Sequence, residues 1–207
     1  MIDREGLPPL LIATNNKGKA EELKDLLKDL SVELVTPAQI GLELDVTEDG
    51  HTYAENATKK AVAFAKASGL ISLADDSGLE VDALDGAPGL HSARYSPKRG
   101  ASDKDRRLFL LQNLRGKPRP WTARFHATIA IAIPDGESLL TEGICEGEIV
   151  PEERGTGGFG YDPIFLLPEL GKTMAELSMD EKNRLSHRAK AVMKAKEILG
   201  ILFGDSG

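Results

Sequence analysis

The sequence predicts an α/β chain in which strands and amphipathic helices interleave. Three observations carry this. An apolar run, Leu10 to Ala13, enters a polar loop and then a helical stripe at Ala20, Leu23, Leu26, Leu27 and Leu30. Trp121, Ala123, Phe125, Ala127, Ile129, Ile131 and Ile133 alternate without a break, as in a long strand with one buried face. Helical spacing returns at Tyr53, Ala57, Ala61, Phe64, Ala65 and Ser68, and again at Ala189, Val192, Met193 and Leu199. With 207 residues, the chain reads as one domain, 1–207, long enough for two lobes that share a sheet.

Taken in order, the first strand runs into Thr14-Asn15-Asn16-Lys17-Gly18-Lys19, with a helix behind it. Strand, polar loop, helix offers backbone N–H groups and a positive dipole end to a phosphate. Gly18 permits close approach, and Lys19 adds a point charge. The GxxxxGK[ST] pattern is absent, and a plain helix start has the same spacing. Val32 to Val35 is a second strand. The acidic run Glu43 to Gly50 reads either as a solvated loop or as a source of cation ligands, Glu48 or Asp49. Thr52 and Glu55 have capping-box spacing at the start of the next helix, on which Asn56 and Lys60 share a face.

Ile71 to Ala74 is strand-like and delivers Asp75 and Asp76; Ser77-Gly78 reads as a turn, and Leu79 to Val81 resumes the apolar pattern. Two acids at a strand end make a poor core and a good site for a hard cation. Lys60, on the preceding helix, reads as reaching the same place. Ser102-Asp103-Lys104-Asp105 starts a helix with Leu108, Leu111 and Leu114 on its buried face. The long alternating strand then turns at Pro134-Asp135-Gly136 and returns as Leu139 to Val150, with Gly143 and Gly147 marking bends or bulges. Arg124 and His126 fall on the face opposite Trp121.

Residues 155 to 160 formally contain GxGxxG, but no helix opens after the last glycine and Pro163 leads into an extended apolar run, so the dinucleotide reading fails. Phe159 among glycines reads as a stacking surface for a flat ligand, or as a tight turn with a buried ring. Ser178 to Glu181 is a second capping box, followed by Lys182. His187 and Arg188 open the last helix, where positive side chains oppose the helix dipole, and read either as facing a ligand or as plain surface residues.

Composition bounds the rest. A net charge of −7 argues against a broad nucleic-acid or anionic-membrane surface. The basic residues between Lys98 and Arg119 read as a solvated face. Cys145, alone, forms no intrachain disulfide and fits a reducing cytoplasm. No apolar run reaches the roughly 18 residues of a membrane helix, and the N-terminus has no signal-peptide pattern. Four scattered histidines and one cysteine lack zinc-ligand spacing, and GxSxG is absent, which disfavours zinc and serine hydrolases.

Six stretches together resemble the inosine triphosphate pyrophosphatases, the XTP/dITP diphosphatases that remove non-standard purine nucleoside triphosphates. They are ATNNKGK at 13–19, ENATKKA at 55–61, ADDSGLEVDALDGAPG at 74–89, SARYS at 92–96, GTGGFGYDPIF at 155–165 and SHRAKA at 186–191. The resemblance implies an α/β fold with a long curved mixed sheet, two lobes and a central cleft, usually as a homodimer; the acidic balance and lone cysteine add the expectation of a cytoplasmic chain that binds neither nucleic acid nor membrane. It implies hydrolysis of ITP, dITP or XTP to the monophosphate and pyrophosphate with Mg²⁺. Carried across, Thr14, Asn15, Asn16, Lys17, Gly18 and Lys19 match the phosphate loop. Glu48 and Asp76 match the metal-binding acids, and Asp76 the general base, with Asp75 beside it as the other candidate. Lys60 and Ser77 match substrate contacts. Phe159, Gly160, Tyr161, Asp162, Lys182, His187 and Arg188 match the base pocket and its surroundings. Arg188 can only donate hydrogen bonds, so it suits a purine 6-oxo group and mismatches the 6-amino group of adenine. A Maf-like diphosphatase of other modified nucleotides and a non-catalytic nucleotide sensor are the competing readings.

Overall fold

The computed structural model describes residues 8–204. Its seven strands are β1 (Leu10–Ile12), β2 (Leu34–Val35), β3 (Ser72–Val81), β4 (Trp121–Ala132), β5 (Ser138–Ile149), β6 (Phe165–Leu167) and β7 (Lys172–Thr173). Five α-helices join them: α1 (Lys17–Leu26), α2 (Tyr53–Ser68), α3 (Asp103–Leu114), α4 (Met179–Leu185) and α5 (His187–Phe203). The strands form one open sheet in the order β2-β1-β3-β4-β5-β6-β7. It is mixed. β1 lies parallel to β2 and β3, with Leu11 opposite Val35 on one side and Ser72 on the other, while β6 is antiparallel to β5 and β7. Strand, helix and parallel strand demand crossovers, and α1 and α2 supply them. No described helix is long and apolar enough to cross a membrane.

The chain forms two compact units. One takes the described part of Met1–Asp76, Ala127–Gly143 and Arg188–Gly207; the other takes Ser77–His126 and Ile144–His187. The first unit is layered. Leu10, Ile12, Leu73, Ile129 and Ile131 pack with Leu23 and Leu26 of α1 and Val192 and Leu199 of α5. Residues one step out of phase, Leu11, Ala13, Ala74, Ala130 and Ala132, pack with Ala57, Ala61 and Phe64 of α2. Strands buried on both faces read as continuous apolar runs, and Leu10 to Ala13 is one. The second unit has its own core, around Leu79, Val81, Leu110, Leu114, Trp121, Phe125, Phe165 and Leu177. There β4 is covered on one face only, which is why its sequence alternates.

Three local expectations change. Ser77-Gly78 is not a turn: β3 runs unbroken from Ser72 to Val81, with Asp75 and Asp76 in its middle and both buried. Burial of Leu79 and Val81 outweighs the turn chemistry of the Ser-Gly pair. On α3 the buried face carries Arg107, Leu110 and Leu114, while Leu108 is 53% exposed. On α5 Met193 is exposed, and the core contact comes from Ala189, Ala191, Val192, Ala195 and Leu199.

Candidate active site

In the first unit, α1 begins immediately after the polar loop. Asn16 is its N-cap, accepting the Lys19 N–H at 3.1 Å, and Thr14 Oγ1 accepts the Asn16 N–H at 3.1 Å. Lys17 and Gly18 are therefore the first helical residues, and the positive end of α1 opens at Asn15 and Asn16, both exposed. Asn15 also touches the Leu44 carbonyl at 3.4 Å, which ties this loop to the acidic run.

The acidic run is positioned by the start of α2. Thr52 caps the Glu55 N–H at 3.1 Å, and the Glu55 carboxylate reaches back to the His51 N–H at 2.7 Å. Asn56, buried, accepts the Gly50 N–H at 2.8 Å, and a Cβ on Gly50 would lie 2.6 Å from that same oxygen. With residues 50–52 pinned this way, Glu48 turns inward. Its Oε1 accepts from Lys60 Nζ at 2.7 Å, whereas Asp49 pairs with Lys59 on the exposed side. Of the two acids, Glu48 is the one placed beside Lys60 and Asp76.

Lys60 Nζ donates three bonds: to Glu48 Oε1, to the Asp75 carbonyl at 2.7 Å and to Asp76 Oδ1 at 3.2 Å. The two acids expected to hold a metal therefore share one ammonium group. Asp75 faces the other side of β3. Its Oδ2 takes Lys19 Nζ at 2.8 Å and Arg188 Nη2 at 3.2 Å, and Arg188 Nη1 in turn pairs with Glu22 of α1. Alternation along the strand explains why adjacent aspartates enter different networks.

Electrostatics separates them further. Burial pushes the Asp75 carboxyl up, but Arg188 and Lys19 outweigh it and hold the group well below the usual carboxylate range. Burial also raises Asp76, and with Glu48 and Asp75 nearby the attraction of Lys60 and Lys19 does not reverse the shift. Burial lowers Lys60, but Asp76 and Glu48 more than restore it, so the ammonium stays charged.

Arg188, expected as a base contact, is drawn into a carboxylate network. It is 2% exposed, and its guanidinium is engaged by two carboxylates of its own unit. Here it anchors Asp75. Glu22 was not singled out by the sequence reading. It sits on the charged side of an ordinary helix, and the only signal, a carboxylate three residues beyond Lys19 in a helix that must bury one face, is weak.

In the second unit, the glycine-rich loop presents Phe159, half-buried. Asp162 Oδ2 accepts the Phe159 N–H at 2.9 Å and Lys182 Nζ at 2.7 Å. Lys182 Nζ also lies 5.4 Å from the centre of the Phe159 ring. The glycines serve close packing more than mobility. A Cβ on Gly155 would fall 2.4 Å from the Ala175 carbonyl, and one on Gly158, at φ +68°, would fall 2.0 Å from Asp162 Oδ2. Tyr161 donates its hydroxyl to the Ser92 carbonyl at 2.8 Å, and burial raises its pKa. His187 is buried and stacks on Phe125, with ring centres 4.7 Å apart and 13° between planes. Ser77 is half-buried on β3. The basic run between Lys98 and Arg119 is not uniformly solvated: Arg107 is buried and pairs with Glu153.

Residues 10–198 match the model of the Ham1 family. A dITP/XTP pyrophosphatase of Desulforamulus reducens is 50% identical over 196 residues, covering 94% of this chain and 96% of that one. The dITP/XTP pyrophosphatase of Bacillus subtilis is 45% identical over 190 residues, 91% and 96% of the two chains. Among solved structures, a HAM1 protein from Coxiella burnetii superposes with a TM-score of 0.83 at 39% identity, covering 93% of this chain and 98% of its own.

Proposed function

Since the chain belongs to the Ham1 family, we propose that it hydrolyses non-standard purine nucleoside triphosphates (ITP, dITP and XTP) to the monophosphate and pyrophosphate. The observation that carries the reading is the network of buried Asp75, Arg188, Lys60 and Asp76 with partly buried Lys19 and Glu48, on β3, its flanking helices and the loop before α2. Buried charge on this scale is costly unless it is used or fully compensated. Ammonium groups beside a helix N-terminus suit a polyanionic triphosphate, and an aromatic ring on a glycine loop suits a purine.

The donor set fits Mg²⁺. Glu48 and Asp76 lie close enough together that both carboxylates accept from Lys60 Nζ, and beside that ammonium group they offer the one or two carboxylates Mg²⁺ commonly takes, its shell being completed by phosphate oxygens and water. Bound there, Mg²⁺ would offset phosphate charge and ease loss of a proton from water. The chain's own groups do the rest. Lys19 and the N-terminus of α1 hold the phosphates. Asp76 takes the proton of the water that attacks the α-phosphorus as the bond to pyrophosphate breaks. Asp75 suits that role less, because Lys19 and Arg188 already occupy its outward oxygen. The reading extends to a cytoplasmic homodimer that binds neither nucleic acid nor membrane. Light scattering in solution tests the dimer, with a mass of one chain as the contrary result.

The deciding experiment offers ITP, XTP, dITP, GTP and ATP with and without Mg²⁺ and resolves the products. Monophosphate plus pyrophosphate from the first three, dependent on Mg²⁺, is expected. Diphosphate plus phosphate, or binding without turnover, would overturn the proposal.

A further inference from the structure

We propose that Asp103 and Arg107 of α3 are positioning residues that hold the Phe159 loop rigid and thereby sharpen the choice between purine bases. The inference rests on the reading above, in which that loop faces the base. Four residues apart, Asp103 and Arg107 share a helix face. Asp103 Oδ2 accepts the Gly160 N–H at 2.7 Å, and Arg107 Nη1 donates to the Gly160 carbonyl at 2.7 Å. One helix face thus holds both peptide groups of Gly160, the residue after Phe159. Arg107 spends its remaining nitrogens on Glu153, Nε to Oε1 at 2.9 Å and Nη2 to Oε2 at 3.1 Å. That two-pronged geometry is the strong form of the pair.

Glu153 precedes the glycine loop and Gly160 lies near its end, so a single guanidinium closes the loop at both ends. Asp162 fixes the amide of Phe159 itself. The ring is therefore held by backbone on both sides, which a chain of glycines could not do alone. Burial of Arg107 is the telling feature. A basic helix face needs no buried guanidinium for solubility, and desolvating one is unfavourable unless its donors are matched. Stacking accepts every purine, whereas reading the base edge requires the base to be held in one place. A loosened platform would still bind but would discriminate poorly.

The test uses the full chain and Arg107→Met, with Glu153→Gln as the milder variant from a partly exposed position. Three quantities are read: amide exchange over residues 155–162, kcat and KM for ITP and for GTP, and affinity for inorganic tripolyphosphate by calorimetry. Exchange in the loop should speed up about tenfold. KM for ITP should rise and the ITP:GTP ratio of kcat/KM should fall, each by about tenfold, with kcat and tripolyphosphate affinity little changed. Glu153→Gln should move the same quantities less, and Arg107→Lys should recover part of the loss. Unchanged loop exchange overturns the proposal. So does an unchanged ITP:GTP ratio, or equal losses for ITP and tripolyphosphate. If Arg107→Met does not fold, Glu153→Gln decides by the same criteria. Failure of the functional reading shows separately, as a wild-type protein that leaves ITP intact; exchange then still reports whether Arg107 holds the loop.

Discussion

Asp75 and Asp76 are neighbours in sequence with opposite electrostatic fates, and that difference can be tested. Asp75 is held below its ordinary value of 3.8, so it adds stability that is present above that value and lost as pH falls beneath it. Asp75→Asn leaves Arg188 buried with half its compensation and should cost about 3–5 kcal/mol in urea unfolding at pH 7. The gap to wild type should begin to narrow below pH 3.8 and go on narrowing as pH falls; a gap constant down to pH 2.5 would refute the account. Asp76 is raised instead, so its ionised form opposes folding, and the stability it adds is lost as pH rises through its folded value. Asp76→Asn should then keep or gain stability at pH 7, since Lys60 retains Glu48 and the Asp75 carbonyl. Turnover should fall by about 10²–10⁴, the usual loss for a general base. Glu22→Ala should behave like Asp75→Asn in unfolding, because it too strands Arg188. An effect within about 0.5 kcal/mol, normal for a surface site, would show that the pairing contributes nothing.

At the scale of elements, the glycine loop is the sharpest case. Gly158→Ala forces a left-handed backbone, costing about 1–2 kcal/mol, and drives a methyl into the Asp162–Lys182 pair. It should raise KM for ITP while leaving tripolyphosphate affinity intact; loss of both in parallel would place the effect elsewhere. The same loop shows how far sequence carries. Long periodic segments were readable: β4 alternates because only one of its faces meets the second unit's core, and α2 begins at Thr52 as its capping residues require. β3 was misread at Ser77-Gly78 because turn propensity is local, whereas the burial of Leu79 and Val81 is tertiary. The buried face of α3 differs from the expected one because Arg107 lies in phase with Leu110 and Leu114 but is charged, whereas Leu108 is apolar and out of phase with them. Charged residues on helices read as solvated, and what draws them inward lies far along the chain: Arg107 meets Gly160, and Glu22 meets Arg188, 166 positions away. The polar loop at 14–19, the two lysines and the acids stand out in the sequence because such residue types seldom follow apolar runs into a core. Their buried partners do not, since nothing local marks them.

For the molecule as a whole, the two units have separate cores, yet no single cut in the chain divides them. Each is built from discontinuous segments, and β3, β4 and β5 each begin in one unit and end in the other. Breaking either core therefore frees residues on strands that the other core needs, and unfolding should be a single transition. Trp121 is the only tryptophan and lies in the second unit's core, so its fluorescence reports on that unit, while far-UV circular dichroism reports on both. The two signals should give one urea midpoint. Asp75→Asn sharpens the test, because it weakens the first unit while the probe sits in the second. Both signals should shift by the same amount, with no change in slope. If fluorescence stays at the wild-type midpoint while circular dichroism moves, the units melt independently. The shared strands would then be passive connections, and a substitution in one unit would leave the other's stability untouched.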